Sequence, residues 1–147
     1  MAGFIFAVIA GAIMSIQGVF NTRVSEKIGI WESNVFVQGT AFIVALLIML
    51  ILGNGSFSSL SSVDNRIYLT GGILGVAITA TVMLAVGKLS PTLAVSAILV
   101  AQLITAALID AFGLFGTPKT PFGWNKYVGI LLLIGGIVLF KLNIGKK

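Results

Sequence analysis

The chain has 147 residues, 58% of them hydrophobic and only 9% charged, with a net charge of +5 and a mean hydropathy of +1.13. A soluble domain is about half apolar and a quarter charged, and folding at this length hides only about 70% of the chain's surface. The composition therefore excludes an ordinary soluble enzyme and a disordered chain, and indicates an integral membrane protein.

Apolar runs of membrane-spanning length follow one another along the chain. A helical span needs about 20 apolar residues. The first run covers 2–20. A cleaved leader would begin with basic residues and end at a small-residue site. Here no Lys or Arg precedes Arg23, and Gln17 and Asn21 stand where cleavage would fall, so the run is read as a retained span. A loop is expected over Thr22–Ile30, with Arg23, Glu26 and Lys27. The second span is 31–53, with Trp31 as an interfacial anchor. The Ser-rich stretch from Asn54 to Arg66 reads as a loop with a short surface turn around Phe57 and Leu60. The third span is 67–87. Ser90 and Pro91 follow as N-cap and first helical residue of a fourth span, 91–115. Pro118 and Pro121 mark the next loop, and the fifth span is 125–142.

These runs are twice the length of barrel strands and do not alternate in polarity, so helices rather than a β-barrel are expected. The predicted fold is all-α, with five transmembrane helices in a single membrane domain over 1–147 and no room for a separate soluble domain. Five spans place Arg23, Lys27, Lys88, Lys141, Lys146 and Lys147 on one side of the membrane. Arg66, Lys119 and Lys126 fall on the other. The six-to-three bias predicts an outside N-terminus and a cytoplasmic C-terminus. Three of the six lie in the tail, so a dual topology stays open.

With no His and no Cys, most zinc, haem and iron–sulfur chemistry and the usual nucleophile sets are removed, and no metal or cofactor is expected. Only four acids occur and no nucleophile–base set is visible, so the chain is not read as an enzyme. Function is sought instead in the polar residues inside spans, which are costly in lipid. Met14, Gln17 and Asn21 follow Ala10 along one stripe of the first span. Gly3, Ala7, Gly11 and Ser15 form the adjacent small-residue stripe, suited to close helix packing. Gly71 and Gly75 repeat that pattern in the third span. In the fourth, Thr92, Ser96, Leu99, Leu103, Ala106 and Asp110 share a face, with Gln102 on its border. The candidate substrate contacts are Met14, Gln17, Asn21, Ser96 and Gln102, with helix–helix hydrogen bonding as the alternative for the amides. Asp110 is either structural or a coupling site for a proton or cation. Glu32 suits the start of its helix, and Gln38, Gly39 and Thr40 form a polar notch deeper in the second span.

Gln17-x-x-x-Asn21, Gly71-Gly72-x-x-Gly75, Ala101-Gln102-Leu103 and Leu108-Ile109-Asp110-Ala111-Phe112-Gly113-Leu114-Phe115-Gly116 together resemble the YdcZ-type branch of the drug/metabolite transporter superfamily. In that branch the residue before the Gln is usually Gly, and here it is Ala101. The resemblance covers the whole chain. It implies a five-helix unit equivalent to half of a ten-helix inverted-repeat transporter. The small-multidrug exporters of the superfamily use a Glu in their first span, and 2–20 contains no acid. A five-helix chain would build a transporter-type site with an oppositely inserted partner, as an antiparallel homodimer or with a paralogue. The expected activity is transport of a small polar or amphipathic metabolite across the cytoplasmic membrane. The alternative is a dual-topology channel or pore. The lipid bilayer is the surrounding partner, and no nucleic acid is expected.

Overall fold

The structure is a computed structural model that describes residues 1–121 and 123–142. Helices α1 (Ala2–Ile28), α2 (Ile30–Leu52), α3 (Gly71–Lys88), α4 (Pro91–Phe112) and α5 (Trp124–Lys141) follow in chain order. Short 3-10 turns lie at Phe57–Ser62, Arg66–Thr70 and Leu114–Gly116. No strand occurs among the described residues. The five apolar helices are each long enough to cross a membrane, the third counted from Arg66. Their large side chains, from Phe4 to Phe140, are mostly exposed. That is the expected state of helices whose solvent is hydrocarbon, where apolar surface has little to gain from burial. The chain packs as two compact units, Met1–Lys88 and Leu89–Lys147.

The first unit holds α1, α2 and α3, each in contact with the other two. The loop expected over Thr22–Ile30 is one residue, Gly29, and α1 runs on to Ile28. The helix persists because its charged end is stabilised locally: Arg23 pairs with Glu26 one turn on, at 3.1 Å, and the Thr22 hydroxyl donates to the Gly18 carbonyl at 2.7 Å. Glu26 is therefore an acid on the first helix, at its exposed end and beyond the expected span. Gly29 turns the chain with φ at 97°, a conformation that favours glycine. A Cβ there would also meet the Glu32 carboxylate.

The buried residues of this unit gather towards one end. Gly18 and Thr22 of α1, Ser33 and Asn34 of α2, and Ala80, Met83 and Val86 of α3 are buried. A Cβ at Gly18 would sit 3.2 Å from Val82 Cγ1, and one at Gly87 would sit 3.6 Å from Thr22 Cγ2. Thus α1 and α3 run in the same direction, with α2 antiparallel to both. A Cβ on Gly3 or Gly11 of α1, on Gly39 of α2, or on Gly71 or Gly72 of α3 would meet nothing within 4 Å. The closed end carries Arg23, Lys27 and Lys88.

The second unit pairs α4 with α5. Ser90 caps α4, its hydroxyl oxygen accepting from the Leu93 N–H at 3.3 Å, and Pro91 is the first helical residue. The helix stops at Phe112, short of the expected 115, because Gly113 adopts a left-handed φ of 65° and returns its N–H to the Ile109 carbonyl. The following segment folds back, and the Thr120 N–H donates to the Asp110 carbonyl at 2.9 Å. At the start of α5 the Trp124 and Tyr127 rings lie 6.3 Å apart, as suits an interfacial aromatic pair. Of the tail basic residues, Lys146 and Lys147 lie outside the described residues.

Candidate functional site

The small residues that bring α1 against α3 follow a 4-3-4-3 spacing: Gly11, Ser15, Gly18, Thr22 and Ser25. A strict every-fourth stripe drifts around a 3.6-residue helix, whereas alternating threes and fours stay on one face. The seam closes at Gly18 and Thr22, which are buried, and is open at Gly11. Met14, Gln17 and Asn21 form the neighbouring stripe. Met14 and Gln17 are exposed and Asn21 is half-buried. The Asn21 carbonyl accepts from the Ser33 hydroxyl at 3.3 Å. No hydrogen bond reaches the side-chain amide of Gln17 or Asn21 among the described residues.

A second polar group joins α2 to α3. The Asn34 Nδ2 donates to the Val76 carbonyl at 2.8 Å. One turn further, the Gln38 Nε2 donates to the Thr79 hydroxyl at 3.4 Å. Gly75 makes room for that amide, since a Cβ there would stand 3.6 Å from Gln38 Nε2. Asn34 is 2% exposed, and its Oδ1 is the buried side-chain polar atom that has no partner among the described residues. An unmet buried acceptor costs about 1–3 kcal/mol. Asn34 and Gln38 thus form an inter-helix lock, of which the sequence shows beforehand only Gln38, in the polar notch of the second span. The available signal was the spacing Asn34-x-x-x-Gln38, which puts two amides on one face.

In the second unit, Gln102 is exposed and its amide has no hydrogen bond among the described residues. The Ser96 hydroxyl donates to the Thr92 carbonyl at 2.8 Å, and Thr105 to Ala101 likewise, so both hydroxyls are satisfied within α4. Asp110 is half-buried and faces a cavity of about 270 Å³ between α4 and α5, which Lys126 also lines. Its carboxylate has no hydrogen bond and no ion pair among the described residues. A larger hollow of about 610 Å³ lies where the Phe57–Ser62 turn meets the end of α2. Met49, Leu50, Phe57 and Leu60 line it and no ionisable group does, so it offers no chemistry.

Exposed amides on spanning helices, a glycine-mediated helix crossing and an acid late in α4 are thus the polar features of the spanning segments. A family described as "Putative inner membrane exporter, YdcZ" matches residues 2–139. The chain belongs to this family. No curated protein and no solved structure matches it significantly. This YdcZ-family chain is a multi-pass membrane protein with five membrane-crossing helices, of an inner-membrane exporter family. Of the residues singled out by sequence, Gly75 meets another helix of this chain, while Gly11 and Gly71 meet none. Met14, Gln17 and Asn21 share a stripe of α1, and Ser96 and Gln102 lie on α4. Gly18, Asn34 and Gln38 are added by the packing.

Proposed function

We propose that this YdcZ-family protein is one half of a transporter that moves a small polar or amphipathic metabolite across the cytoplasmic membrane. The second half is an oppositely inserted chain, either another copy or a paralogue. The observation that carries the reading is the pair of amides, Gln17 and Gln102, exposed on spanning helices with no hydrogen-bond partner among the described residues. A bare amide facing hydrocarbon costs several kcal/mol. Such groups are retained where a substrate or a second chain supplies the missing donors and acceptors. The substrate contacts assigned are Gln17, Asn21, Gln102, Met14 and Ser96. In this arrangement one chain is inserted with its N-terminus outside and its C-terminus inside, the insertion its basic residues favour, and its partner is inserted the opposite way.

The test begins with a thermal-shift screen of metabolites on purified protein, because a ligand at 100 times its Kd stabilises the state it binds by about 2.7 kcal/mol. Gln17→Ala and Gln102→Ala are each expected to weaken a stabilising metabolite by about 0.5–1.5 kcal/mol, roughly two- to tenfold in Kd. Folded yield should change little. Two variants that bind as the unmodified protein does but dissociate as oligomers would reassign the amides to chain–chain contact.

The assembly is tested separately by labelling engineered cysteines in the tail of reconstituted protein, the chain having none of its own. Functional pairs are expected to show tails on both sides of the membrane. Pairs with every tail on one side would exclude the inverted arrangement.

A further inference from the structure

We propose that the cavity between α4 and α5 is a binding site for a membrane phospholipid with a primary-amine headgroup, of the phosphatidylethanolamine type. Asp110 takes its ammonium and Lys126 its phosphate. The helices run antiparallel, so the cavity has a charged end and an apolar end. Asp110 and Lys126 lie at the first, and Leu103 and Leu133 at the second, with Ala106 and Ile130 between. Seven residues separate Asp110 from Leu103 along α4 and Lys126 from Leu133 along α5. At 1.5 Å per residue the trough is about 10 Å long. It is open because its walls include Ala106, Ala107 and Gly129. This is the shape of a zwitterionic headgroup with the start of an acyl chain beneath it.

The charges select among headgroups. The Asp110 carboxylate has no donor from the described protein and sits half-buried in a spanning helix, where such a group must find one. A primary ammonium brings three N–H donors, and charge-assisted bonds to a carboxylate are about twice as strong as neutral ones. A quaternary choline group has no N–H to give. A glycerol headgroup has no cation, and its phosphate would meet the Asp110 anion as well as the Lys126 cation. The backbone holds the acid in place, since the Asp110 carbonyl accepts from the Thr120 N–H and Gly113 ends the helix one turn later. The apolar lining points to a lipid rather than to a free headgroup.

The experiment uses the whole chain reconstituted in vesicles of phosphatidylethanolamine, phosphatidylcholine or phosphatidylglycerol, then gently solubilised and weighed by native mass spectrometry. Phosphatidylethanolamine is expected to be retained about five- to tenfold over the other two. Asp110→Asn should abolish the margin over phosphatidylcholine and raise retention of phosphatidylglycerol. Lys126→Gln should weaken retention while keeping the ethanolamine-over-choline order. It reads the site independently if Asp110→Asn does not yield folded protein. Equal retention of ethanolamine and choline lipids by the unmodified chain would overturn the proposal. So would an unchanged margin in folded Asp110→Asn, or displacement of the lipid by equimolar soluble phosphoethanolamine. Lipid-free protein in which cross-linking places a second copy against Leu133 would overturn it as well.

Discussion

Gly18→Leu is expected to separate α1 from α3 and to lower the thermal midpoint of the purified protein, with a stability loss of about 1–3 kcal/mol or more. The reason is distance. The first side-chain carbon alone would stand 3.2 Å from Val82 Cγ1, tighter than ordinary van der Waals contact, and a leucine adds three carbons beyond it. Thr22, one turn along the same seam, is buried against the same helix and would lose its packing with it. Association of helices in lipid rests on such close approach, since apolar surface gains nothing by leaving the hydrocarbon. Gly11→Leu and Gly71→Leu are the controls, because a Cβ at either position meets nothing within 4 Å. They should leave the unfolding of the single chain near that of the unmodified protein. Intrinsic fluorescence and helical circular dichroism in detergent measure the difference. A loss from Gly11→Leu as large as that from Gly18→Leu would show that the seam closes along all of α1. A Gly11→Leu chain that unfolds normally but no longer dimerises would place Gly11 in the contact between chains.

Asn34→Asp is expected to be the most damaging near-isosteric change in the first unit. The Asn34 Nδ2 lies 2.8 Å from the Val76 carbonyl oxygen and the side chain is 2% exposed. An ionised carboxylate there loses the donor and sets an anion against a carbonyl oxygen in a dry site, at a cost of several kcal/mol. Asn34→Leu should be milder. It gives up a hydrogen bond worth about 0.5–1.5 kcal/mol net, but it also removes an acceptor that has no partner among the described residues. The expected order of folded yield at neutral pH is the unmodified chain, then Asn34→Leu, then Asn34→Asp. Acidification should improve the Asn34→Asp variant selectively, since a protonated acid can again donate to Val76. An Asn34→Asp variant as stable at neutral pH as the unmodified chain would show instead that water reaches the closed end of the bundle.

The positions of these two residues show where sequence reasoning stops. The caps of α4 are readable, because Ser90 and Pro91 act through bonds within a few residues. The extent of α1 is not. Arg23, Glu26 and Lys27 mark the edge of the hydrocarbon, and a change of solvent there resembles a change of backbone. A helix crosses that boundary without interruption when its polar end can hydrogen-bond to itself and pair its charges, as Thr22 and Arg23 do. The single-residue joint follows from Gly29, whose backbone conformation has little signature beyond the glycine itself. Small residues are legible as a class, but which of them pack is not. Gly11 and Gly18 have the same composition signal, and only the convergence of α1 on α3 at one end makes Gly18 the contact.

The sequence by itself determined that this is a five-helix membrane protein of the YdcZ family, because hydrocarbon imposes run length and apolarity on every spanning segment and the family match runs through those segments, over residues 2–139. Only the tertiary structure decided which polar groups are locked and which stay open. Asn34 and Gln38 are held across α2 and α3, whereas the amides of Gln17 and Gln102 and the carboxylate of Asp110 have no partner among the described residues. The physical reason is that a hydrogen bond between helices depends on their rotation and separation to within a few tenths of an ångström. Those quantities are set jointly by glycines and side chains far apart in the chain, and no local pattern contains them.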